Sequence, residues 1–538
     1  MLTITNPVLP GYHPDPSMLR VGEDYYIATS TFEWFPGVQI YHSRDMVNWK
    51  LQTYPLTRSS QLDMTGNIDS GGVWAPCLSY DDGLFYLIYT DVKSRAGAFK
   101  DTHNYLMTAE DINGPWSEPV YLNSSGFDPS LYHEEDGSKW LVNMIWDHRK
   151  GTNSFAGIAL QEYSVEEKRL VGPVENIFKG TELGLTEAPH IYKRKGYYYL
   201  MTAEGGTGYN HAVTVARSEN LSGPYEVDPH NPILTSSEGD VLQKSGHASL
   251  VETQTGEWYI AHLCARPVKE QKCMLGRETA LQKCYWSEDG WLRVEGGPQP
   301  QTEIKAPGLT PAPVPGEDPH DDFTDSSLNL HWNSLRIPFS EDWLSLTERP
   351  DHLRLKGQES MSSLHRQSLV ARRLESLDVE VETSLDFQPE HFQQMAGLIF
   401  YYDTSDYIYL RTTHDENAGK VLGVIQSKHG QYDELLNEEI PLPDQSHYYL
   451  KARMNGEWLT FFYSLDGRTW ATLISEIDAS HLSDDDANLI RFTGTFVGMC
   501  AQDLSGTKKP ADFDYFTYKK IPETAQKAAM AENTSRNT

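Results

Sequence analysis

The sequence predicts an all-β protein of two domains, a five-bladed β-propeller followed by a β-sandwich. Three observations carry this. Five related segments recur through the first 300 residues, in steps of 59, 54, 59 and 60 residues. Each leads, about ten residues on, to a turn and an aromatic-rich strand. Beyond a proline-rich stretch, a second region alternates apolar and polar residues at the period of a strand, and helical periodicity is weak in the repeats.

The five segments are His13-Pro14-Asp15-Pro16-Ser17, Val73-Trp74-Ala75-Pro76-Cys77, Phe127-Asp128-Pro129-Ser130-Leu131, Thr186-Glu187-Ala188-Pro189-His190 and Gly246-His247-Ala248-Ser249-Leu250. Aligned on their small or proline residues, they put Asp15, Trp74, Asp128, Glu187 and His247 in one slot. The strands that follow are Asp24-Tyr25-Tyr26-Ile27, Gly83-Leu84-Phe85-Tyr86-Leu87, Lys139-Trp140-Leu141, Gly196-Tyr197-Tyr198-Tyr199-Leu200 and Glu257-Trp258-Tyr259-Ile260. A repeat of this length built from short strands is a propeller blade of four antiparallel strands. A later marker, a polar turn before an aromatic, supports the return to an outer strand. It appears at Ser43 to Trp49, Ala109 to Trp116, Arg217 to Tyr225 and Ser287 to Trp291, and poorly in the third repeat.

Innermost strands run along a propeller's axis, so side chains in one repeated slot converge at one mouth of the channel. Prolines beside Asp15, Trp74, Asp128 and Glu187 fix φ and stiffen the backbone that carries them. The propeller is expected over residues 1–300. Residues 301–321, rich in proline around Pro311 to Pro315, read as a semi-rigid linker or a strap. The sandwich is expected over 322–520, with strands at Val379 to Phe387, Gly397 to Tyr402, Tyr407 to Arg411 and Tyr448 to Arg453. Asn455-Gly456 there predicts a type I′ hairpin. The polar tail 521–538 is expected to be disordered.

The net charge is −31 and the pI about 4.9. Such a surface repels a nucleic-acid backbone, and no basic cluster relieves it. Five cysteines without CxxC or Cys/His spacing indicate neither a disulfide framework nor a zinc site. No apolar run is long enough to span a membrane and no signal peptide is visible, so a soluble cytoplasmic protein is expected.

Carboxylates facing a common cavity are the equipment of glycoside hydrolysis, where one acid protonates the leaving oxygen and an ionised partner activates water or attacks carbon. Glu187, beside Leu185, Ala188 and Pro189, suits the general acid because apolar surroundings raise its pKa. Asp15, between two prolines, suits the base. Asp128 would hold the proton on Glu187 by like-charge repulsion and fix its orientation. Taken singly, each Asp-Pro could be an Asx turn; the shared register with Glu187 and His247 argues for a site. Trp74 in that register reads as a platform for a sugar face. His247 fits either a satisfied core histidine or a site residue. Arg277 fits either a surface charge or a bidentate donor to vicinal hydroxyls.

At these residues the chain resembles glycoside hydrolase family 43 β-xylosidases of the subgroup with a C-terminal sandwich of concanavalin or jelly-roll type. The resemblance rests on Pro14-Asp15-Pro16-Ser17, Thr31-Phe32-Glu33-Trp34-Phe35-Pro36-Gly37, Trp74-Ala75-Pro76, Phe127-Asp128-Pro129-Ser130, Thr186-Glu187-Ala188-Pro189-His190, Gly276-Arg277-Glu278-Thr279, Phe492 to Gly498 and Ala511 to Phe516. It covers the chain to about residue 520. It implies an inverting, exo-acting β-1,4-xylosidase that releases xylose from the non-reducing end of xylooligosaccharides, with α-L-arabinofuranosidase side activity. It also implies Asp15 as base, Glu187 as acid and Asp128 as modulator. Phe32, Trp74, Phe127, His247 and Arg277 match the sugar pocket, and Phe496 matches a sandwich-loop aromatic that narrows it. No cofactor is required by this reading, with a calcium ion near His247 left open. Xylooligosaccharides are the expected partners, with no nucleic acid or membrane, in a homo-oligomer.

Competing readings are an arabinan-directed enzyme of the same family, a retaining fructosidase-type propeller and a non-catalytic carbohydrate-binding propeller. The Pro14-Asp15-Pro16-Ser17 setting argues against the fructosidase, whose nucleophile sits in Asn-Asp-Pro-Asn-Gly. A lectin has no use for three convergent carboxylates.

Overall fold

The structure is a computed structural model that describes residues 2–486 and 491–522. Apart from a 3₁₀ turn at Lys269–Gln271, the described residues contain no helix. The chain forms two compact units, Met1–Arg266 with Arg277–Val314, and Pro267–Gly276 with Pro315–Thr538.

The first unit is a five-bladed propeller. Blade I runs Ser17–Val21, Asp24–Thr29, Gln39–Ser43, Lys50–Thr53, and blade II runs Gly72–Asp81, Leu84–Ser94, Asp101–Ala109, Val120–Asn123. Blade III runs Ser130–His133, Lys139–Trp146, Phe155–Ser164, Arg169–Phe178. Blade IV runs Glu187–Arg194, Tyr197–Glu204, Ala212–Ser218, Glu226–Val227, and blade V runs Gln243–Glu252, Trp258–Ala265, Glu278–Trp286, Leu292–Val294. Neighbouring strands in each blade are antiparallel. The five first strands neighbour one another in a closed ring. Blade III, whose outer turn looked poorly marked, has its turn at Val165 to Lys168 without the aromatic.

The serine one place after the proline, or after Ala248, ties blade to blade. Ser17 Oγ accepts from Leu78 N at 3.0 Å, Ser130 Oγ donates to Pro189 O at 2.6 Å, and Ser249 Oγ donates to Pro16 O at 2.8 Å. These hydroxyls satisfy backbone groups where innermost strands of neighbouring blades meet and sheet pairing is unavailable. Apolar clusters fill the spaces between sheets, such as Tyr26, Phe35, Leu78 and Phe85 between blades I and II.

The proline-rich stretch is divided between the units. Glu303–Lys305 pairs with Thr3–Thr5, Ala306 N donates to Leu2 O at 3.1 Å, and Ala312 N donates to Asp45 Oδ2 at 2.8 Å. Residues 301–314 are thus a strap on the propeller rather than a free linker, because their polar backbone finds partners on blades I and V. With Asn6 Nδ2 bonded to Leu281 O at 2.7 Å, the two ends of the unit close the ring.

The second unit packs two antiparallel sheets over one core. One orders Leu344–Ser345, Leu353–Lys356, Pro510–Lys520, Asp378–Asp386, Tyr448–Asn455, Trp458–Ser464 and Ala471–Asp478, with His320–Asp321 on Pro510–Lys520. The other orders Ser368–Arg373, Phe496–Asp503, Gln394–Asp403, Asp406–Asp415, Gly419–Lys428 and Gln431–Glu434, with Ile440–Pro441 on Gly419–Lys428. The core includes Val381, Leu398, Phe400, Phe461 and Phe513, with Met274 and Leu275 from the segment Pro267–Gly276. That segment corrects the expected boundary: blade V's hairpin connection supplies apolar residues to the second core. The hairpin at Asn455 is also shifted by one residue. Asn455 pairs with Trp458, so Gly456 and Glu457 form the turn. With Gly456 at φ +59° in the first central position, it follows the II′ pattern instead of I′. Of the tail expected to be disordered, residues 523–538 lie outside the described residues.

Candidate active site

The repeated segment has one backbone device. Asp15, Ala75, Asp128, Ala188 and His247 have φ of 56°, 34°, 54°, 51° and 46°, a left-handed conformation uncommon outside glycine. Register shifts lie at this point in blades II, IV and V, between Trp74/Cys77, Glu187/His190 and Gly246/Ala248. In these three blades the innermost strand therefore carries a bulge, a device that re-aims side chains at the end of a sheet, while in blades I and III the strand begins two residues after the left-handed aspartate. This corrects the alignment drawn from the sequence. Asp15, Asp128 and His247 occupy the left-handed slot, which alanine fills in blades II and IV. Trp74 and Glu187 stand one residue earlier, in register with Phe127. The functional side chains thus fall on the left-handed residue in blades I, III and V and on the residue before it in blades II and IV, so two kinds of position alternate around the ring. Gly246 holds the earlier position in blade V because a Cβ would lie 1.9 Å from the His211 ring.

Asp15 is buried and surrounded by donors. Ser30 Oγ donates to Oδ2 at 2.6 Å and Arg277 Nη1 to Oδ1 at 3.0 Å, while His247 Nδ1 lies 3.6 Å from Oδ1. Burial works to raise this carboxyl, but Arg277, His247 and Ser30 together outweigh it, and its pKa falls below the ordinary aspartate value. Burial lowers the pKa of His247 itself. The standing cation beside Asp15 is therefore Arg277.

Asp128 and Glu187 sit in the opposite electrostatic situation. Neither has an ion-pair partner among the described residues. Asp128 accepts only a 3.2 Å bond from Ala188 N. Burial, then the charges of Glu187 and Asp15, push Asp128 well above its usual range. Burial, then Asp15, push Glu187 up to about 8, with Arg277 opposing. Like-charge repulsion is reciprocal, so Asp128 and Glu187 behave as a pair that retains a proton at neutral pH. Glu187 remains partly open to solvent, as a group that must reach a ligand has to be. Leu185, expected to enclose it, is 42% exposed. The enclosure comes from the converging blades rather than from sequence neighbours.

Three aromatic residues line up beside the carboxylates. The Phe32 and Trp74 rings are 5.8 Å apart, and Trp74 meets Phe127 edge to face at 5.4 Å. Trp74 Nε1 donates to Ser70 O at 3.0 Å, which fixes the indole. The Arg277 guanidinium carbon lies 5.4 Å from the Phe32 ring centroid. Asp15, Asp128, Glu187, Phe32, Trp74, Phe127, His247 and Arg277 are thus brought together in the first unit. Phe496 belongs to the second unit, where it is fully buried under Arg373, whose guanidinium is 5.1 Å away. Its assignment to sugar contact rests on the resemblance alone.

Sequence reasoning missed Ser30, Thr207 and His211. Ser30 Oγ accepts from Ala75 N at 2.7 Å while donating to Asp15, so it couples blades I and II at the base. Thr207 Oγ1 accepts from Arg277 Nη1 at 3.2 Å. His211, lowered to about 3 mainly by burial, donates from Nδ1 to Gly206 O at 2.7 Å. Only Ser30 lay within reach of a signal, being next to the Thr31-Phe32 motif.

Two clusters in the second unit have metal-like spacing, Glu317/His331/Glu375 and Asp406/His429/Asp486. Arg372 pairs with Glu317 and Lys520 with Glu375; Arg491 pairs with Asp406 and Lys272 with Asp486. Their negative charge is already matched by protein cations. All five cysteines are buried and free.

One ionised carboxylate held by an arginine, one proton-bearing carboxyl pair and an aromatic wall suit acid-base hydrolysis of a sugar acetal. A family described as Glycosyl hydrolases family 43 matches residues 4–292, and one described as Beta xylosidase C-terminal Concanavalin A-like domain matches residues 320–519. A protein of Bacillus subtilis (strain 168) named Beta-xylosidase is 53% identical over 96% of this chain and 100% of its own length. Xylosidase/arabinosidase 43B of Humicola insolens is 48% identical over 97% of this chain and 98% of its own length. The crystal structure of a xylan beta-1,4-xylosidase from Bacillus halodurans C-125 is 62% identical, with a TM-score of 0.95, covering 96% of this chain and 100% of its own.

Proposed function

This chain belongs to glycosyl hydrolase family 43, and from that premise we propose that it is an exo-acting β-1,4-xylosidase that hydrolyses xylooligosaccharides by inversion. The observation that carries the reading is the opposed setting of two carboxyls at one site: Asp15 bonded by Arg277 and Ser30, which hold it below its usual range, and Glu187 enclosed without an ion-pair partner among the described residues, which raises it to about 8.

In this reading the ionised Asp15 takes a proton from a water molecule, whose oxygen attacks the anomeric carbon. Protonated Glu187 gives its proton to the glycosidic oxygen as that bond breaks, and the shorter oligosaccharide leaves as a neutral alcohol. The attack comes from the face opposite the leaving group, so a β-linkage yields α-xylose. Ser30 and Arg277 orient Asp15 for the water. Asp128 keeps the proton on Glu187 and accepts the Ala188 N–H, which fixes the backbone next to the acid. Trp74, Phe32 and Phe127 offer faces to the xylose ring, which lacks a hydroxymethyl group and packs flat on an aromatic. The reading assigns no step to a metal.

Proton NMR of the first product from xylobiose tests it. α-Xylose is the expected initial anomer; initial β-xylose would make Asp15 a nucleophile and overturn the mechanism. The relative named xylosidase/arabinosidase favours a second activity on terminal α-L-arabinofuranosides, read by parallel assays on the 4-nitrophenyl glycosides. A cytoplasmic homo-oligomer completes the reading, tested by cell fractionation and light scattering.

A further inference from the structure

Glu204 ends the second strand of blade IV, one residue beyond Ala203, which pairs with Glu187. It is fully buried. A buried carboxylate is costly unless donors surround it, and here the donors come from one short segment. Thr181 N donates to Oε1 at 2.9 Å, Thr186 Oγ1 donates to Oε1 at 3.0 Å, and Thr181 Oγ1 donates to Oε2. Gly205 N adds a 2.9 Å bond to Gly184 O. The segment from Gly180 to Thr186 is therefore wrapped around one side chain, and it leads directly into Glu187. Gly180 is part of the fit: at φ +84°, a Cβ there would lie 1.8 Å from Thr186 Oγ1 and 3.1 Å from Glu204 Oε1.

An apolar side chain could fill this volume without desolvating a charge. What it could not do is set the segment's direction, because hydrogen bonds to three donors fix orientation as well as position. Leu185 and Ala188 on either side of Glu187 both take positive φ, 55° and 51°, so the backbone at the acid is bent twice and needs an external hold. The hydrogen bonds to Glu204 come from Thr181 and Thr186 and not from the Glu187 carboxyl. Its action is geometric.

We propose that Glu204 is a positioning residue for the general acid, holding the Gly180–Thr186 segment so that the Glu187 carboxyl meets the leaving-group oxygen. This inference rests on the reading of Glu187 as the acid. The experiment separates the two. Glu204→Gln, Thr186→Val and Glu187→Ala are assayed on xylobiose, whose leaving group needs a proton, and on 2,4-dinitrophenyl β-D-xyloside, whose leaving group does not. Glu204→Gln should lower kcat on xylobiose about tenfold to a hundredfold, the scale of a misplaced catalytic group, and change kcat on the dinitrophenyl substrate by less than about threefold. Thr186→Val, which keeps the shape and removes one donor, should show the same pattern to a smaller degree. It carries the test alone if Glu204→Gln does not fold. Equal losses on both substrates for these variants, with Glu187→Ala still selective for xylobiose, would overturn the proposal. Equal losses for Glu187→Ala itself would overturn the assignment of the acid.

Discussion

Asp512 in the sandwich and the Asp128–Glu187 pair in the propeller solve the same problem, a buried carboxylate in a β-structure, in opposite ways. In the sandwich, Asp512 lies between Arg349 and Arg354, with bonds of 2.7–2.9 Å, and its pKa stays below the usual value although burial opposes this. In the propeller, Asp15 is held in the same way by Arg277, as the buried Asp228 is by Arg293 and Glu278 by Arg266. Asp128 and Glu187 are given each other instead of a cation, and both are pushed upward. Charge matching makes a carboxylate a structural part. Withholding the match keeps a proton in a closed site at neutral pH, and that proton is what the chemistry uses. The cost is stability: a carboxyl whose folded pKa lies above its unfolded one binds more protons when folded.

The comparison breaks most visibly at the base. Asp15→Asn should lower kcat on xylobiose by about 10²–10⁴-fold. It should also lower Tm, because it leaves Arg277 buried without its ion, a loss on the order of 3 kcal/mol. Asp512→Asn should lower Tm in the same way and leave kcat unchanged. Kinetics and calorimetry on both variants decide whether the two paired aspartates differ only in what surrounds them.

Glu187→Gln should go the other way in stability. The folded-state pKa of Glu187 is raised to about 8 from 4.5. Its contribution to stability therefore declines as pH rises from about 4.5 through 8, and at pH 8 the neutral amide should melt a few degrees higher while activity on xylobiose is lost. Below pH 4 the two Tm values should converge. A lower Tm for Glu187→Gln at pH 8 would show that the carboxyl is satisfied after all.

Smaller effects appear in the pH profile of kcat/KM. Asp128→Ala removes a negative charge beside Glu187, so the alkaline limb should move to lower pH. Arg277→Met removes the cation that holds Asp15 down, so the acid limb should move to higher pH. A profile fixed at both ends would reduce the two residues to packing. The smallest effect should come from the wall: Trp74→Phe keeps an aromatic face but loses the bond to Ser70 O, and KM for xylobiose should rise several-fold, about 1 kcal/mol.

The sequence by itself determined the architecture. Five segments near 60 residues apart, each followed by an aromatic strand, define blades whatever their outer strands look like, because a repeat that cannot bury its own faces must stack on its neighbours. It also determined which residue types meet, since equivalent positions in a closed ring must converge. Tertiary structure alone decided how they meet. The left-handed residue that sets the register falls on Asp15 and Asp128 but one place after Trp74 and Glu187, and no spacing reports a backbone angle. The strap at 301–314 and the gift of Met274 and Leu275 to the second core depend on backbone and apolar partners distant in sequence. The charge states depend most of all on the fold. Leu185 beside Glu187 faces solvent, and the charges that set the two carboxyls apart, Arg277 for Asp15 and Asp15 for Glu187, each stand well over a hundred residues away in sequence. Coulomb energy falls with distance through space, and only the closed ring makes that distance short.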